Sequence, residues 1–479
     1  MRDVRKGLIY DIYMNFKKTI DKQAGWSPHR GGDALWGRGG LYVRQALHLI
    51  REDKQFSAIY IAGTAVAIAS AMVVALILHI RMGNIYPEVN RDRTIYVGSN
   101  FTRSDGGYIG YSGYSPQAVE EMFSKLECAE VMSAVMNDEY LYNFTACQEI
   151  GKQEVPVGIK FTDPNFFRLY EFKFLEGKPY NEENLKNADR CVVITEALAR
   201  KLQAESGLVG QTIQLNYLPY RVVGVVKGVS PLLKETSADI YMPYTVSDSR
   251  AHWQDGNVTW AGGLEVRVLL KKGYTREMLM DELEPYRPKY LSMLKSTTGE
   301  DWNWYIQVRP HWRKVLNFFG EEVNDASTTD LLANLSIPAL FMLLLLLLPA
   351  INLSGMVSNQ MEARVAEMGI RKAFGAKKRV LLNEVIQENL VLTLCGGVVG
   401  YLLSWLFIAA VRNSTLFLSM FGREYDPVDN VSLQLDMFFT PTLFLIAFAC
   451  CAVLNLMAAL IPAWTSLKKP IVESLNQKK

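Results

Sequence analysis

Few residues in this chain are arranged for chemistry of their own. The five histidines, His29, His48, His79, His252 and His311, are scattered with no HExxH or other paired ligand spacing, which argues against a metal enzyme. No G-x-x-x-x-G-K-[ST] loop occurs. The nearest fragments, Gly151-Lys152-Gln153 and Gly177-Lys178-Pro179, lack both the hydroxyl and the preceding glycine, so ATP cannot be held by that route. No Ser/His/Asp set or carboxylate pair can be defended from spacing. What remains is a segment suited to contact rather than catalysis, residues 362–390 (EARVAEMGIRKAFGAKKRVLLNEVIQENL). Met361, Val365 and Met368 recur at helical spacing with charges between them, and Gly375 offers a left-handed stop before Lys377 starts another helix. A rigid helix, a bend and a second rigid helix can transmit a push.

The elements that must position this segment are membrane helices. Length alone suggests about three units, and the 51 Lys plus Arg nearly balance the 49 Asp plus Glu, which removes any case for nucleic acid from global charge. A hydrocarbon core about 30 Å thick needs roughly 20 apolar residues as helix. Four stretches qualify: 57–80, 331–353, 389–411 and 438–461. A soluble helix is rarely so apolar all round.

Flanking charge orients the spans. Between the second and third, the segment 354–388 carries Arg364, Arg371, Lys372, Lys377, Lys378 and Arg379. The loop 412–437 holds Arg412 and Arg423 against Glu424, Asp426, Asp429 and Asp436. The first loop is therefore expected inside, with both termini, and residues 81–330 outside. Residues 41–56 set Leu41, Ala46, Leu47 and Ile50 near one helical face, with Arg44, Arg51 and Lys54 available to phospholipid headgroups. Residues 1–40 show no clear periodicity, and 462–479 form a basic tail.

The fold class expected is an α-helical membrane protein with four transmembrane helices and a large α+β extracytoplasmic domain between helices one and two. Strand-like runs recur at 94–97, 191–194, 212–215, 220–226 and 264–270, interleaved with helical stretches at 117–126 and 196–203. The Tyr, Gly and Ser run 106–114 reads as a loop. Cys128, Cys147 and Cys191 fall in this domain and permit at most one internal disulfide; Cys395, Cys450 and Cys451 read as packing residues of the spans.

Segment 362–390 resembles the signature that follows the second membrane helix of the MacB/FtsX permease family. That pattern is an acid, a spacer, Gly-Ile-Arg-Arg/Lys, two residues, Gly-Ala, a basic patch, and an acid entering helix three. Here Glu367, Gly369, Ile370, Arg371, Lys372, Gly375, Ala376, the patch 377–379 and Glu388 hold those places. The chain end, with Pro462, Ala463, Lys469, Pro470, Ile471 and Leu475, is similar to the family's terminal pattern, as is the Ile61, Gly63, Ala65, Ala67 centre of the first helix. The resemblance spans about residues 41–475 and leaves out 1–40.

The resemblance implies that the segment docks in a groove of an ABC ATPase subunit on a separate polypeptide. Ile370, Phe374 and Ala376 would be apolar contacts, Arg371 and Lys372 polar ones. The chain itself would be a non-catalytic subunit with no cofactor of its own; ATP and magnesium would sit on the ATPase. A second permease copy or paralogue would complete the complex in the bacterial inner membrane. Gly396, Gly397 and Gly400 permit close helix packing, including a permease–permease contact, while Glu388 is expected to stay solvated near the interface. Two functions follow from the resemblance. The first is export or extraction of a drug, peptide or lipoprotein with a periplasmic adaptor. The alternative is FtsX-like signalling to a cell-wall hydrolase.

Overall fold

The computed structural model describes residues 54–103, 109–136, 144–149, 154–202, 207–230, 232–247, 261–316, 369–411 and 441–468, with isolated positions between 336 and 365. The expected surface helix (to residue 53), the segment 1–40, the loop 412–437, most of the second span and Glu367 lie outside the described residues.

Helix α1 (Lys54–Met82) enters a domain of mixed α and β structure. Its strands are β1 (Thr94–Arg103), β2 (Ile109–Tyr114), β3 (Ala129–Met136), β4 (Phe144–Cys147), β5 (Val155–Val157), β6 (Ile159–Thr162) and β7 (Phe174–Gly177). They continue as β8 (Cys191–Thr195), β9 (Thr212–Leu215), β10 (Leu218–Val226), β11 (Ile240–Pro243), β12 (Ala261–Gly262), β13 (Leu264–Leu270) and β14 (Trp302–Pro310). All five runs read as strands from the sequence are strands. The order is β12-β2-β1-β13-β3-β6-β11-β8-β10-β9-β4-β5, with β14 on β1 and β7 on β10. Among the described residues, only the β8–β10 and β6–β11 pairs are parallel. The sheet's two halves meet at β3–β6, through the single register pair Val135↔Thr162.

Helices α2 (Arg276–Leu283) and α3 (Tyr286–Thr298) cover one face, where Leu279, Leu283 and Tyr290 join the main core with Trp304, Val266 and Val268. Burial of such side chains contributes about 1.5–3 kcal/mol each. The opposite face holds an aromatic cluster in which Phe166, Phe167, Tyr170, Phe172 and Tyr241 pack mostly edge to face. Helix α4 (His311–Leu316) follows β14 directly.

One expectation fails here. Residues 109–114 are strand β2, paired with β1, β12 and β13, and not loop. The glycine there serves close approach rather than a turn: a Cβ on Gly113 would lie 2.5 Å from the Leu264 carbonyl oxygen. Tyr114 is buried and donates its hydroxyl proton to the Gly98 carbonyl at 3.0 Å.

Two further helices, α5 (Lys378–Val411) and α6 (Pro441–Lys468), complete the described chain. Three described helices are long and apolar enough to cross a membrane, over Ser57–Met82, Lys378–Ala410 and Phe444–Thr465. Of the expected second span, Ser336, Leu340 and Leu344 are described and helical. Helix α6 runs on through Pro462 to Lys468, so the tail expected from 462 begins as helix. A mid-helix proline removes one hydrogen bond and costs about 3 kcal/mol. Against this, Ala459 and Ala463 are buried with Tyr60, Val385 and Leu392, and that packing carries the helix past the proline.

Contacts divide the chain into two compact units. One comprises Met1–Ile61, Leu353–Cys395 and Asn455–Lys479, the other Ala62–Asn352 and Gly396–Leu454.

Candidate functional site

The first unit contains the bend anticipated from Gly375. The helix carrying Gly369, Ile370, Arg371 and Lys372 stops at Phe374, and Gly375 has φ +90°. The Gly375 N–H donates to the Lys372 carbonyl at 3.0 Å and the Ala376 N–H to the Arg371 carbonyl at 3.0 Å, the paired bonds of a Schellman stop. Nothing lies within 4 Å of a Cβ built on Gly375, so its backbone conformation, not space, selects glycine. Helix α5 restarts three residues on.

The bend faces two ways. Met361 and Val365 are buried, Gly369 with them, whereas Ile370 is 42% and Phe374 74% exposed. Arg371, Lys372 and Ala376 are half-buried. An exposed phenylalanine thus stands beside an exposed isoleucine and a basic patch.

Farther along α5, Glu388 is buried rather than solvated. Helix α5 turns Val385, Glu388, Asn389 and Leu392 inward together, and its neighbour Thr393 lies 3.3 Å from the Tyr60 hydroxyl. A helix period places an acid on whichever face its spacing dictates, and here that is the packed one. Gly396, Gly397 and Gly400 are also buried. In the second unit a Cβ on Gly397 would meet the Phe448 ring at 2.6 Å and one on Gly400 the Ala65 carbonyl oxygen at 2.7 Å. These two glycines therefore face other helices of the same chain.

The second unit holds a joint that sequence reasoning missed. Helix α1 ends with free carbonyls, as any helix does, and side chains of the following domain take them. Arg91 Nη1 donates to the carbonyls of Ile80 and Gly83, each at 2.7 Å, while its Nε donates to Glu88 Oε2 at 2.7 Å. Thr236 Oγ1 donates to the other oxygen of Glu88 at 2.6 Å. The Arg91 and Glu88 side chains are 3% and 0% exposed, so the pair is desolvated and survives through these added bonds.

A second clasp comes from α4. His311 Nε2 lies 2.8 Å from the Arg81 carbonyl oxygen and Nδ1 lies 3.1 Å from the Tyr96 hydroxyl. A neutral ring that donates from Nε2 and accepts at Nδ1 satisfies both. Burial first, then the nearby Arg91 charge, pushes the His311 pKa below its ordinary value. Leu232 and Leu233 close the joint by packing on Leu76 and Ile80. No local signal marks these residues. Glu88 and Thr236 are 148 positions apart, and only the fold brings them together.

Elsewhere in the domain, Cys128, Cys147 and Cys191 are buried free thiols, with burial pushing Cys128 up to about 12 and Cys191 to about 11. Among the described residues no three His, Cys, Asp or Glu side chains gather as metal ligands.

Three described helices long and apolar enough to cross a membrane, in a chain that also holds a mixed α/β domain, mark a multi-pass membrane protein. Comparison with known proteins gives the family. The MacB-like periplasmic core domain matches residues 57–286 and the FtsX-like permease C-terminal domain residues 339–471. The chain belongs to the MacB/FtsX-type permease family. It is 25% identical over 313 residues to the macrolide export ATP-binding/permease protein MacB of Escherichia coli K12, covering 65% of this chain and 42% of that protein. It is 21% identical over 329 residues to MacB of Shewanella sp. strain W3-18-1, covering 68% of this chain and 44% of that one. The chain thus spans less than half the length of these relatives, and the matched domains are the periplasmic core and the permease. Among solved structures it is similar to a domain of a putative permease protein from Porphyromonas gingivalis (18% identity, TM-score 0.36, 51% of this chain and 97% of that one). It is also similar to the periplasmic region of MacB from Actinobacillus actinomycetemcomitans (15%, 0.29, 44% and 88%).

Proposed function

We infer that this chain is the permease subunit of an ABC system in which a separate ATPase binds ATP and magnesium and docks on the Gly375 bend. The observation that carries this reading is the exposed Phe374 and Ile370 on a helix end held rigid by its Schellman stop. Arg371, Lys372 and Ala376 border the apolar pair, and Glu367 and Gly369 precede it in the motif. Two permeases, identical or paralogous, would be drawn together as the ATPases close. The bend and both termini lie in the cytoplasm and the mixed domain faces the periplasm. The joint at Arg91 and His311 then makes α1 and the mixed domain move as one piece.

The work done is export or extraction of a substrate handled outside the inner membrane. The relatives named for macrolide export favour this over regulation of a hydrolase. The test is affinity purification of the intact membrane complex with mass spectrometry. An ABC ATPase should accompany the wild type in stoichiometric amount and be lost from Arg371→Glu and Phe374→Asp with the mixed domain still folded. Retention of the ATPase by both variants would sink the docking surface.

A further inference from the structure

A cavity of about 300 Å³ opens beside the joint, walled by the start of β1, the turn into α2 and the first residues of α4. Its walls carry three arginines, Arg93, Arg276 and Arg313, and two acids, Asp92 and Glu277. The arginines are not equivalent. Arg93 is committed to Glu130 Oε2 and to the Leu270 carbonyl, each at 2.7 Å. Arg276 spends Nε on the Val308 carbonyl at 2.6 Å and holds Nη1 3.8 Å from Glu277. Arg313 has a buried Nε with no hydrogen-bond partner among the described residues, an unfavourable state for a charged donor.

The cavity lies next to the joint in sequence, Asp92 following Arg91 and Trp312 following His311. The apolar span of α1 covers 26 residues, about 39 Å of helix at 1.5 Å per residue, against a hydrocarbon core of about 30 Å. A helix that long reaches past the hydrocarbon core, and Arg81 lies at its end next to the mixed domain. His311 is bonded to the Arg81 carbonyl, and Trp312 and Arg313 follow it at once. Trp312 and Tyr274 are 41% and 42% exposed at this rim. Exposed tryptophan and tyrosine are at home in the headgroup layer, where ring and polar edge meet different media.

We propose that this cavity binds the headgroup of a phosphatidylethanolamine molecule from the adjoining leaflet. The lipid phosphate lies on Arg313 and Arg276, its ammonium on Glu277 and Asp92, and its glycerol beside Trp312. A purely anionic headgroup would bring no cation to the two acids. A choline headgroup has no N–H to donate to them. A small zwitterion with a primary ammonium answers both signs of charge.

The full chain is reconstituted in nanodiscs of equal phosphatidylethanolamine, phosphatidylcholine and phosphatidylglycerol, released, and analysed for retained lipid by native mass spectrometry. The wild type should retain phosphatidylethanolamine over phosphatidylcholine by roughly tenfold, the scale of one charge-assisted hydrogen bond. Arg313→Gln should abolish the enrichment and Arg313→Lys restore part of it. Glu277→Gln should keep one phospholipid bound but erase the preference for the ethanolamine headgroup. Equal retention of all three lipids by the wild type, or an unchanged preference in both Arg313→Gln and Glu277→Gln, overturns the proposal. Displacement of the lipid by excess inorganic phosphate overturns it in favour of a soluble-anion site. ATPase docking plays no part in this readout, so the two proposals fail separately.

Discussion

The Gly375 bend and the Arg91 joint both sit at the end of a helix, yet they are built on opposite plans. At the bend the helix stop is made by backbone alone, and large apolar side chains face outward. At the joint the stop is made by side chains brought from far along the chain, and charges face inward. The difference teaches what each does. An exposed apolar pair is where the proposed function puts a second protein, whereas a buried charge with its partners in place holds two elements of one chain together.

Breaking the joint should have the largest effect. Arg91→Leu strands Glu88 in a buried site and uncaps two carbonyls, so chemical unfolding of the full chain in detergent should show a loss of about 3–5 kcal/mol. Phe374→Asp should sharpen the contrast from the other side. Its ATPase association should fall more than tenfold, with unfolding changed by less than about 0.5 kcal/mol, as for other exposed positions. A stability loss as large as that of Arg91→Leu would mean Phe374 is structural. Gly375→Ala forces a Cβ into the left-handed region and should cost about 1–2 kcal/mol of local stability, read as faster hydrogen exchange around residues 370–376.

The smallest effect is one of pH. His311 is buried neutral, so the unfolded chain takes up its proton first as pH falls. The stability it contributes is complete above its ordinary pKa of 6.5 and is lost as pH drops below that value toward the depressed one. Arg91, Glu88, Glu235, Tyr96 and the Arg81 backbone are the groups that act on the ring. Melting temperature should therefore decline below pH 6.5 more steeply in the wild type than in His311→Gln, whose amide cannot be protonated. Asp163 works in the opposite sense. Burial raises it to about 7 despite hydrogen bonds from Ser133, Ala134 and Phe166, so its share of stability falls as pH rises from its ordinary 3.8 toward 7. Only the difference between wild type and variant isolates the histidine.

Much of the architecture was legible because membrane solvation acts on local composition. Some twenty apolar residues in a row need no tertiary information to be read as a span; α1 and α6 lie close to the stretches picked out by hydropathy, while α5 contains the stretch 389–411 but begins at Lys378, inside the segment expected to precede it. The Gly375 stop was equally local, since a left-handed residue and its two hydrogen bonds involve only six consecutive positions. Strands such as β8 and β13 were legible from β-branched runs. Strand β2 was not, because its Gly113 answers a backbone on another strand, Leu264, and not the chain on either side.

The sequence by itself determined where the long apolar stretches lie, where the helix breaks, and that residues 362–390 resemble a family signature, because each depends on neighbours within a turn or two. Tertiary structure alone decided that Glu388 is packed inward, that α6 continues through Pro462, and that Arg91, Glu88, Thr236 and His311 meet at the end of α1. Those outcomes depend on which side chains share a desolvated space, and a buried charge finds its partners by folding rather than by order in the chain.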